Sequence, residues 1–214
     1  MLKCIIFDLD NTLYREADYL FCLANFMRRK FKGCPYKEVS SEIIENNLDR
    51  RQGDIIFSLF YFLFERYPSK KEHNLIFGAY KKLKCPIKLF PDFYNVIEII
   101  KEKRIRTAIL TNGIFEVQLN KMSLLSLDKY IDHIFVNPNG YSKPNKEAFV
   151  SVADFFLCEA NSVLMVGDDP VNDIEGARNA GMLTYRIKKG FFKNEPSKAN
   201  YESEHLIDIL NLIK

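Results

Sequence analysis

Ile6-Phe7-Asp8-Leu9-Asp10-Asn11-Thr12-Leu13-Tyr14 is the stretch on which the reading of the fold turns. The apolar run Cys4-Ile5-Ile6-Phe7 leads into it and shows no polar alternation, so it reads as a short strand buried on both faces. Two carboxylates follow, separated only by Leu9. Residues two apart on an extended chain point to the same side. Asp8 and Asp10 can therefore converge at a strand mouth, where open α/β sheets place their ligands. Like charges that close repel unless a cation lies between them or one of them holds a proton. Hard carboxylate oxygens suit Mg2+.

Downstream, from Arg15 to about Leu89, the pattern is helical and contains no buried strand. Leu20, Leu23, Ala24, Met27 and Phe31 recur at helical steps until Gly33 and Pro35 break the run. A second helix is expected from Tyr36 to about Leu48, with Ser40 and Ser41 on or near its polar side. Asp49-Arg50-Arg51-Gln52-Gly53 is a polar break, and Asp54 is placed to cap a very apolar third helix containing Ile55 to Phe64. A fourth helix runs from about Lys70 to Leu83. Four helices directly after the first strand, with strands resuming only near residue 105, predict a helical cap domain at 15–89. It is inserted into a core made of 1–14 and 90–214.

The remainder alternates strand and helix, which predicts a Rossmann-like parallel sheet. Strands are expected at Arg106 to Leu110, Ile131 to Val136, Val163 to Val166 and Leu183 to Ile187. Helices are expected around Val96 to Ile100, Val117 to Leu125, Phe149 to Phe156 and Ile174 to Ala180, with a final amphipathic helix carrying Leu206, Ile209, Leu210 and Ile213. The second strand ends in Thr111-Asn112-Gly113 before a helix, a setting in which backbone N–H groups and the helix dipole favour an anion. Lys143 follows the third strand. Asp168, Asp169 and Asp173 crowd the end of the fourth, where their mutual repulsion calls for a cation or a lysine. A parallel sheet puts all these strand ends on one rim.

Composition narrows the classes. The chain has 214 residues, 47% of them hydrophobic, and a net charge of +3, too mild for a nucleic-acid or anionic-membrane partner. Its apolar run at the start is four residues long, and the longest apolar stretch, Ile55 to Phe64, is too short to cross a bilayer. Cys4, Cys22, Cys34, Cys85 and Cys158 are scattered and odd in number, with no Cys-x-x-Cys pair. That argues against a zinc site or a disulfide framework and predicts free thiols in a cytoplasmic protein. A monomer or a homodimer is expected.

Phe7 to Leu13 resembles the DxDxT motif of the haloacid-dehalogenase-like (HAD) hydrolases. Leu110-Thr111-Asn112-Gly113, Ser142-Lys143-Pro144-Asn145 and Gly167-Asp168 through Asp173 are similar to the other three motifs of that family, in order and spacing. Together they cover nearly all of the chain outside the cap. The likeness is to the C1-capped phosphatases that act on nucleotides and sugar phosphates. It implies a Mg2+-dependent phosphomonoester hydrolase working on a small phosphorylated metabolite through an aspartyl-phosphate. By that resemblance Asp8 is the nucleophile and Asp10 the acid and base. Asp8, the Asp10 carbonyl and Asp168 hold the metal, and Thr111, Asn112 and Lys143 hold the phosphate. Thr12 and Asp173 have supporting roles. Arg50 and Arg51, in the cap's polar break, are candidates for substrate contact. Two departures stand out: the loop Asn137 to Tyr141 is slightly short, and Asp169 replaces the Ser of many relatives. Within the family, a phosphosugar mutase is the alternative, although Asn11-Thr12 differs from the Gly-Val of those mutases. A haloacid dehalogenase needs no acid such as Asp10. A phospho-receiver domain lacks the helical insert and carries its Asp on the third strand, where this chain has none. A catalytically silent binding protein is the remaining reading.

Overall fold

The computed structural model describes residues 1–51 and 53–213; Gln52 of the polar break and Lys214 at the end of the expected core lie outside them. Cys4–Phe7 forms strand β1. Its four residues are wholly buried because strands flank it on both edges and side chains cover both faces. β2 (Arg106–Thr111) and β4 (Val163–Gly167) pair with it in parallel register, with Phe7 opposite both Ile109 and Val166. Outside them lie β3 (His133–Val136), β5 (Leu183–Ile187) and β6 (Tyr201–Ser203), all parallel, in the order β3-β2-β1-β4-β5-β6. The chain reverses its direction of travel across the sheet between β1 and β4, so the crevice at their carboxyl ends is the place where such a sheet takes a ligand. The six-stranded parallel α/β sheet is the fold class the alternating pattern predicts.

Alternation along the strands splits the core in two. Ile5, Phe7, Ile109, Leu164 and Val166 face one side, and Cys4, Ile6, Ala108, Leu110, Val163 and Met165 face the other. The first side is covered by α5 (Phe93–Glu102), by the carboxyl-terminal Leu206 and Ile209, and by the apolar faces of the four helices that follow β1. The second is covered by α7 (Lys146–Phe155) and α8 (Gly176–Asn179) through Phe149, Val152 and Ala177.

The insert consists of α1 (Glu16–Lys30), α2 (Ser41–Asn47), α3 (Ile55–Phe64) and α4 (Lys70–Tyr80). Asp54 caps α3 by accepting from the Ile56 N–H, and Ser69 with Glu72 closes a capping box on α4. The second helix is shorter than its sequence suggests. Ser40 accepts from the Ile43 N–H and so starts the helix there, rather than sitting on the flank of one begun at Tyr36. β6 also escapes the sequence pattern, since it is a three-residue, mostly exposed edge strand with no apolar run. The expected final α-helix is instead a 3-10 helix, Leu206–Leu212, whose first N–H groups, of Leu206 and Ile207, donate to the Asp92 carboxylate. No helix among the described residues is long and apolar enough to cross a membrane.

One cysteine expectation is corrected. Cys22 on α1 and Cys85, after α4, form a disulfide, while Cys4, Cys34 and Cys158 are free. The two ends of the insert bring these residues together in space although 63 positions separate them in sequence. Cross-linking a loop of that length restricts the unfolded chain and stabilises the fold by on the order of 4 kcal/mol. At roughly 2–4 °C per kcal/mol for a chain of this size, reduction is expected to lower the calorimetric unfolding midpoint by about 10 °C. Cys22→Ser should reproduce that shift and abolish the response to reductant, whereas an equal midpoint with and without reductant contradicts it.

Candidate active site

The rim at the carboxyl ends of β1, β2 and β4 encloses a cavity of about 110 Å3 lined by Asp8, Asp10, Thr111, Asn112, Lys143, Asp168 and Asp173 among others. Asp8 follows β1 directly, and its N–H donates to the Val166 carbonyl, which locks the strand end against β4. Asp168 and Asp173 come from the turn after β4. There Gly167 is required because a Cβ would lie 2.3 Å from an Asp173 carboxylate oxygen. The side-chain oxygens of Asp8, Asp168 and Asp173 approach within 4.8 Å of one another.

Lys143 bridges two of these acids. Its Nζ donates to Asp8 Oδ1 and Asp173 Oδ1 at 2.6 Å each, and it is 4% exposed, so the pairing takes place out of water. Asn112 holds the lysine's backbone in place: its Nδ2 donates to the Lys143 carbonyl and its Oδ1 accepts the Lys143 N–H, at 2.7 and 2.8 Å. Thr111 is buried, accepts from Gln118 Nε2 at 2.6 Å, and lines the cavity. Thr12 is also fully buried, beneath the turn after Asp10, where Asn11 adopts φ 59°.

Asp10 has a different environment. Lys121 Nζ donates to both of its oxygens at 2.8 and 2.9 Å, Gln118 Nε2 donates at 3.1 Å, and the Tyr14 hydroxyl donates to Oδ1. Sequence reasoning missed Gln118 and Lys121. Both lie on α6 (Phe115–Leu124), and the available signal is that Lys121 falls four residues after the buried Val117, on the helix's apolar side. It also missed Glu16, which lines the cavity paired with Arg50, at 2.8 and 3.2 Å. The two candidate arginines part here. Arg50 lines the cavity, whereas the Arg51 guanidinium is taken up by Asp169 and Glu195 at its edge. The aromatics of α3 stay away from the cavity, whose aromatic lining among the described residues is Phe192.

Charge is the dominant feature. Six carboxylates line the cavity: Asp8, Asp10, Glu16, Asp168, Asp169 and Asp173. Four cations reach them, namely Lys121, Lys143, Arg50 and Arg51. Two negative charges are left over, and Asp168 bears the consequence: its Oδ2 is buried without a hydrogen-bond partner among the described residues. A buried orphan anion is costly. Burial pushes the Asp8 carboxyl up to about 8; Lys143 opposes the shift, and Asp173 and Asp10 add to it. Burial, reinforced by Asp173 and Asp8, raises Asp168 well above the usual range, and burial also raises Asp173. For Asp10, burial pushes upward, but Lys121, Tyr14 and Gln118 outweigh it and hold the carboxyl below its ordinary value. An all-oxygen cluster with two surplus charges and one unpaired carboxylate fits a hard divalent cation.

Comparison with known proteins gives the family and agrees with the fold. The family model described as haloacid dehalogenase-like hydrolase matches residues 5–187, and the chain belongs to that family. A glyceraldehyde 3-phosphate phosphatase of Methanopyrus kandleri is 24% identical over 232 residues, covering 100% of this chain and 98% of its own. Among solved structures, a predicted phosphoglycolate phosphatase from Haemophilus somnus superposes with a TM-score of 0.80 at 20% identity, over 100% of this chain and 98% of that one. The HAD-hydrolase YfnB from Bacillus subtilis, solved with magnesium bound, gives 0.79 at 18% identity, covering 100% and 99%.

The carboxyl shifts have a sign that can be measured. In the unfolded chain aspartates ionise near pH 4, whereas folded Asp8 keeps its proton to about 8. Between those values the folded state binds more protons, so the stability of cation-free protein falls as pH rises. The slope is about 1.4 kcal/mol per pH unit for each carboxyl that stays protonated. In chelator, the unfolding midpoint is expected to drop between about pH 6 and pH 8, and a saturating divalent cation should flatten that drop. A midpoint that rises with pH in chelator contradicts the charge account.

Proposed function

We propose that the chain is a Mg2+-dependent phosphomonoester hydrolase that releases phosphate from a small sugar phosphate through an aspartyl-phosphate on Asp8. The observation that carries the reading is the buried Asp8–Lys143–Asp173 bridge beside the orphaned Asp168, inside a cavity open to the strand ends. The cavity is well below the roughly 300–1,000 Å3 of sites that take drug-sized ligands. This favours a short-chain ester over a nucleotide, in keeping with the Methanopyrus relative.

Asp8, Asp168 and the Asp10 carbonyl would hold the ion. When bound, the ion neutralises charge and lets an anionic nucleophile meet an anionic phosphate. Asp8 Oδ attacks phosphorus in line with the leaving oxygen. Lys143, together with Thr111 and the Asn112 N–H, offsets the charge on the equatorial oxygens. Asp173 keeps Lys143 aimed at them. Asp10 donates a proton to the leaving oxygen and then takes one from the water that attacks the aspartyl-phosphate. Its ionised form suits the second step. For the first, a phosphate dianion seated beside it pushes its carboxyl upward again. Lys121 and Gln118 aim Asp10 without facing the phosphate themselves. Residues 15–89 act as the cap and 1–14 with 90–214 as the catalytic core, a division supported by Arg50 reaching the cavity from the insert. Arg50 and Glu16 then read the part of the substrate beyond phosphorus.

Phosphate release from a panel of triose, pentose and nucleoside monophosphates tests the reading. Release is expected to need Mg2+, to favour the triose ester, and to fall by at least roughly 10⁴-fold in Asp8→Asn. Asp10→Asn should cost roughly 10²–10⁴-fold in kcat. Full activity in Asp8→Asn removes the nucleophile assignment. Phosphate retained in an isomeric product makes the protein a mutase instead.

A further inference from the structure

Arg51 makes contacts that the chemistry above does not use. Its Nη1 donates to both oxygens of Asp169 at 2.9 Å, and its Nη2 and Nε donate to Glu195 at 2.7 and 3.4 Å. Its guanidinium carbon also stands 3.9 Å over the Phe192 ring. Four of the five guanidinium N–H donors are thus taken by two carboxylates and its face by an aromatic ring, which commits the group to this contact rather than to substrate. Among the described residues, the insert's ion pairs to the rest of the chain are carried by Arg51 and by Lys81, the latter with Glu116. Of the two, only Arg51 lands at the cavity's edge.

Its landing site is rigid. Asp169 is 6% exposed and accepts from the Val171 and Asn172 N–H groups and from Asn172 Nδ2, so its oxygens are fixed before Arg51 arrives. Phe192 and Glu195 belong to the β5–β6 connection, which is pinned by Arg186. That residue is 1% exposed, and its guanidinium donates to the carbonyls of Phe192, Glu195 and Asp168. Arg51 is fixed at its own end by its N–H, which donates to Asp49 Oδ1 at 2.8 Å. The neighbouring Arg50, by contrast, pairs with Glu16, a residue of the insert itself. That pair gives the segment no charged tie to the core.

We propose that Arg51 is a positioning residue: it seats the segment carrying Arg50 on the core rim, so that substrate meets a site already closed on its non-phosphate side. This rests on the phosphatase reading of the cavity. Seating is an equilibrium, and apparent affinity is the intrinsic affinity scaled by the seated fraction. Loss of Arg51 therefore weakens binding of free substrate. Once substrate is bound, Arg50 and the phosphate contacts hold the segment down and turnover proceeds.

The test compares wild type with Arg51→Gln, Arg51→Lys, Glu195→Gln and the Arg51→Gln/Glu195→Gln pair, on the best phosphate ester of the panel. Arg51→Gln is expected to raise KM roughly tenfold and to change kcat by less than about twofold. Arg51→Lys should fall between the two because it keeps the charge and loses the fork. Glu195→Gln should raise KM less, and the pair should match Arg51→Gln alone because the shared interaction is already gone. Amide exchange is read in parallel on substrate-free protein. Peptides covering residues 45–51 should exchange roughly tenfold faster in Arg51→Gln while circular dichroism and the thermal midpoint stay with wild type. An unchanged KM, a loss confined to kcat, or unchanged exchange each overturns the proposal. If wild type releases phosphate from no ester, the phosphatase reading falls, and the exchange measurement still decides whether Arg51 seats the segment.

Discussion

Six carboxylates converge on one buried rim with only four cations to meet them, and the local structure is arranged around that deficit. Lys143 is shared between Asp8 and Asp173, Lys121 is given over to Asp10, and Asp168 is left with an unpartnered oxygen. Burying one unpaired carboxylate costs several kcal/mol, a large fraction of a domain's net stability. Such an arrangement persists because the parallel sheet and its two apolar cores over-determine it. It is also the arrangement that can take up a divalent cation and a phosphate together, since the cation cancels the surplus before the second anion arrives.

Topology creates the crowding. β1 and β4 lie side by side with the chain turning away to opposite edges, so the turns after them face each other across an open crevice. Phe7 and Val166 are in register, which sets Asp8 level with the turn that supplies Asp168. β2, on the other flank, contributes Thr111, and its following helix supplies Gln118 and Lys121 to Asp10. The insert completes the enclosure from above with Arg50 and Glu16. The aspartates and Thr111 reach the cavity from strand ends and the turns after them, Lys121 and Gln118 from α6, and Lys143 and Arg50 from connections between elements. The two aspartates of the first turn are thereby given opposite environments: Asp8 is crowded by acids and pushed up, Asp10 is wrapped by donors and pulled down. Two carboxyls separated in this way are suited to different tasks.

Much of this was legible in the chain because it depends on local pattern. Unbroken apolar runs marked β1 and β4, and shorter or interrupted apolar segments in the strand–helix alternation marked β2, β5 and the half-buried β3, whose start was read two residues early. The polar residues at and beyond the strand ends gave Asp8, Asp10, Thr111, Lys143, Asp168 and Asp173. What escaped depends on tertiary contact. Lys121 and Gln118 look like ordinary helix residues until α6 packs against the rim. Glu16 looks like a first-turn acid favourable to the helix dipole. β6 is three residues with no hydrophobic signal, and it exists because Asn200 and Thr184 exchange hydrogen bonds at its start. Cys22 and Cys85 are brought together by the closure of the insert, which no spacing rule announces. The two arginines of the polar break are chemically identical in sequence, and only their neighbours, Glu16 for one and Asp169 with Glu195 for the other, give them separate tasks.

The most direct measurement is a chemical one on Asp8. Protein turning over a phosphate ester in Mg2+ would be quenched in acid within milliseconds, digested, and the peptide containing Asp8 weighed. Asp10→Asn would be run alongside, because slowing the second step accumulates the acyl phosphate. An added mass of about 80 Da on that peptide, absent in Asp8→Asn and lost on treatment with hydroxylamine, is the result expected of a carboxylate held to attack phosphorus. Steady phosphate release with no modified peptide at any quench time, in either protein, would mean that water attacks the ester directly and that Asp8 serves only the cation.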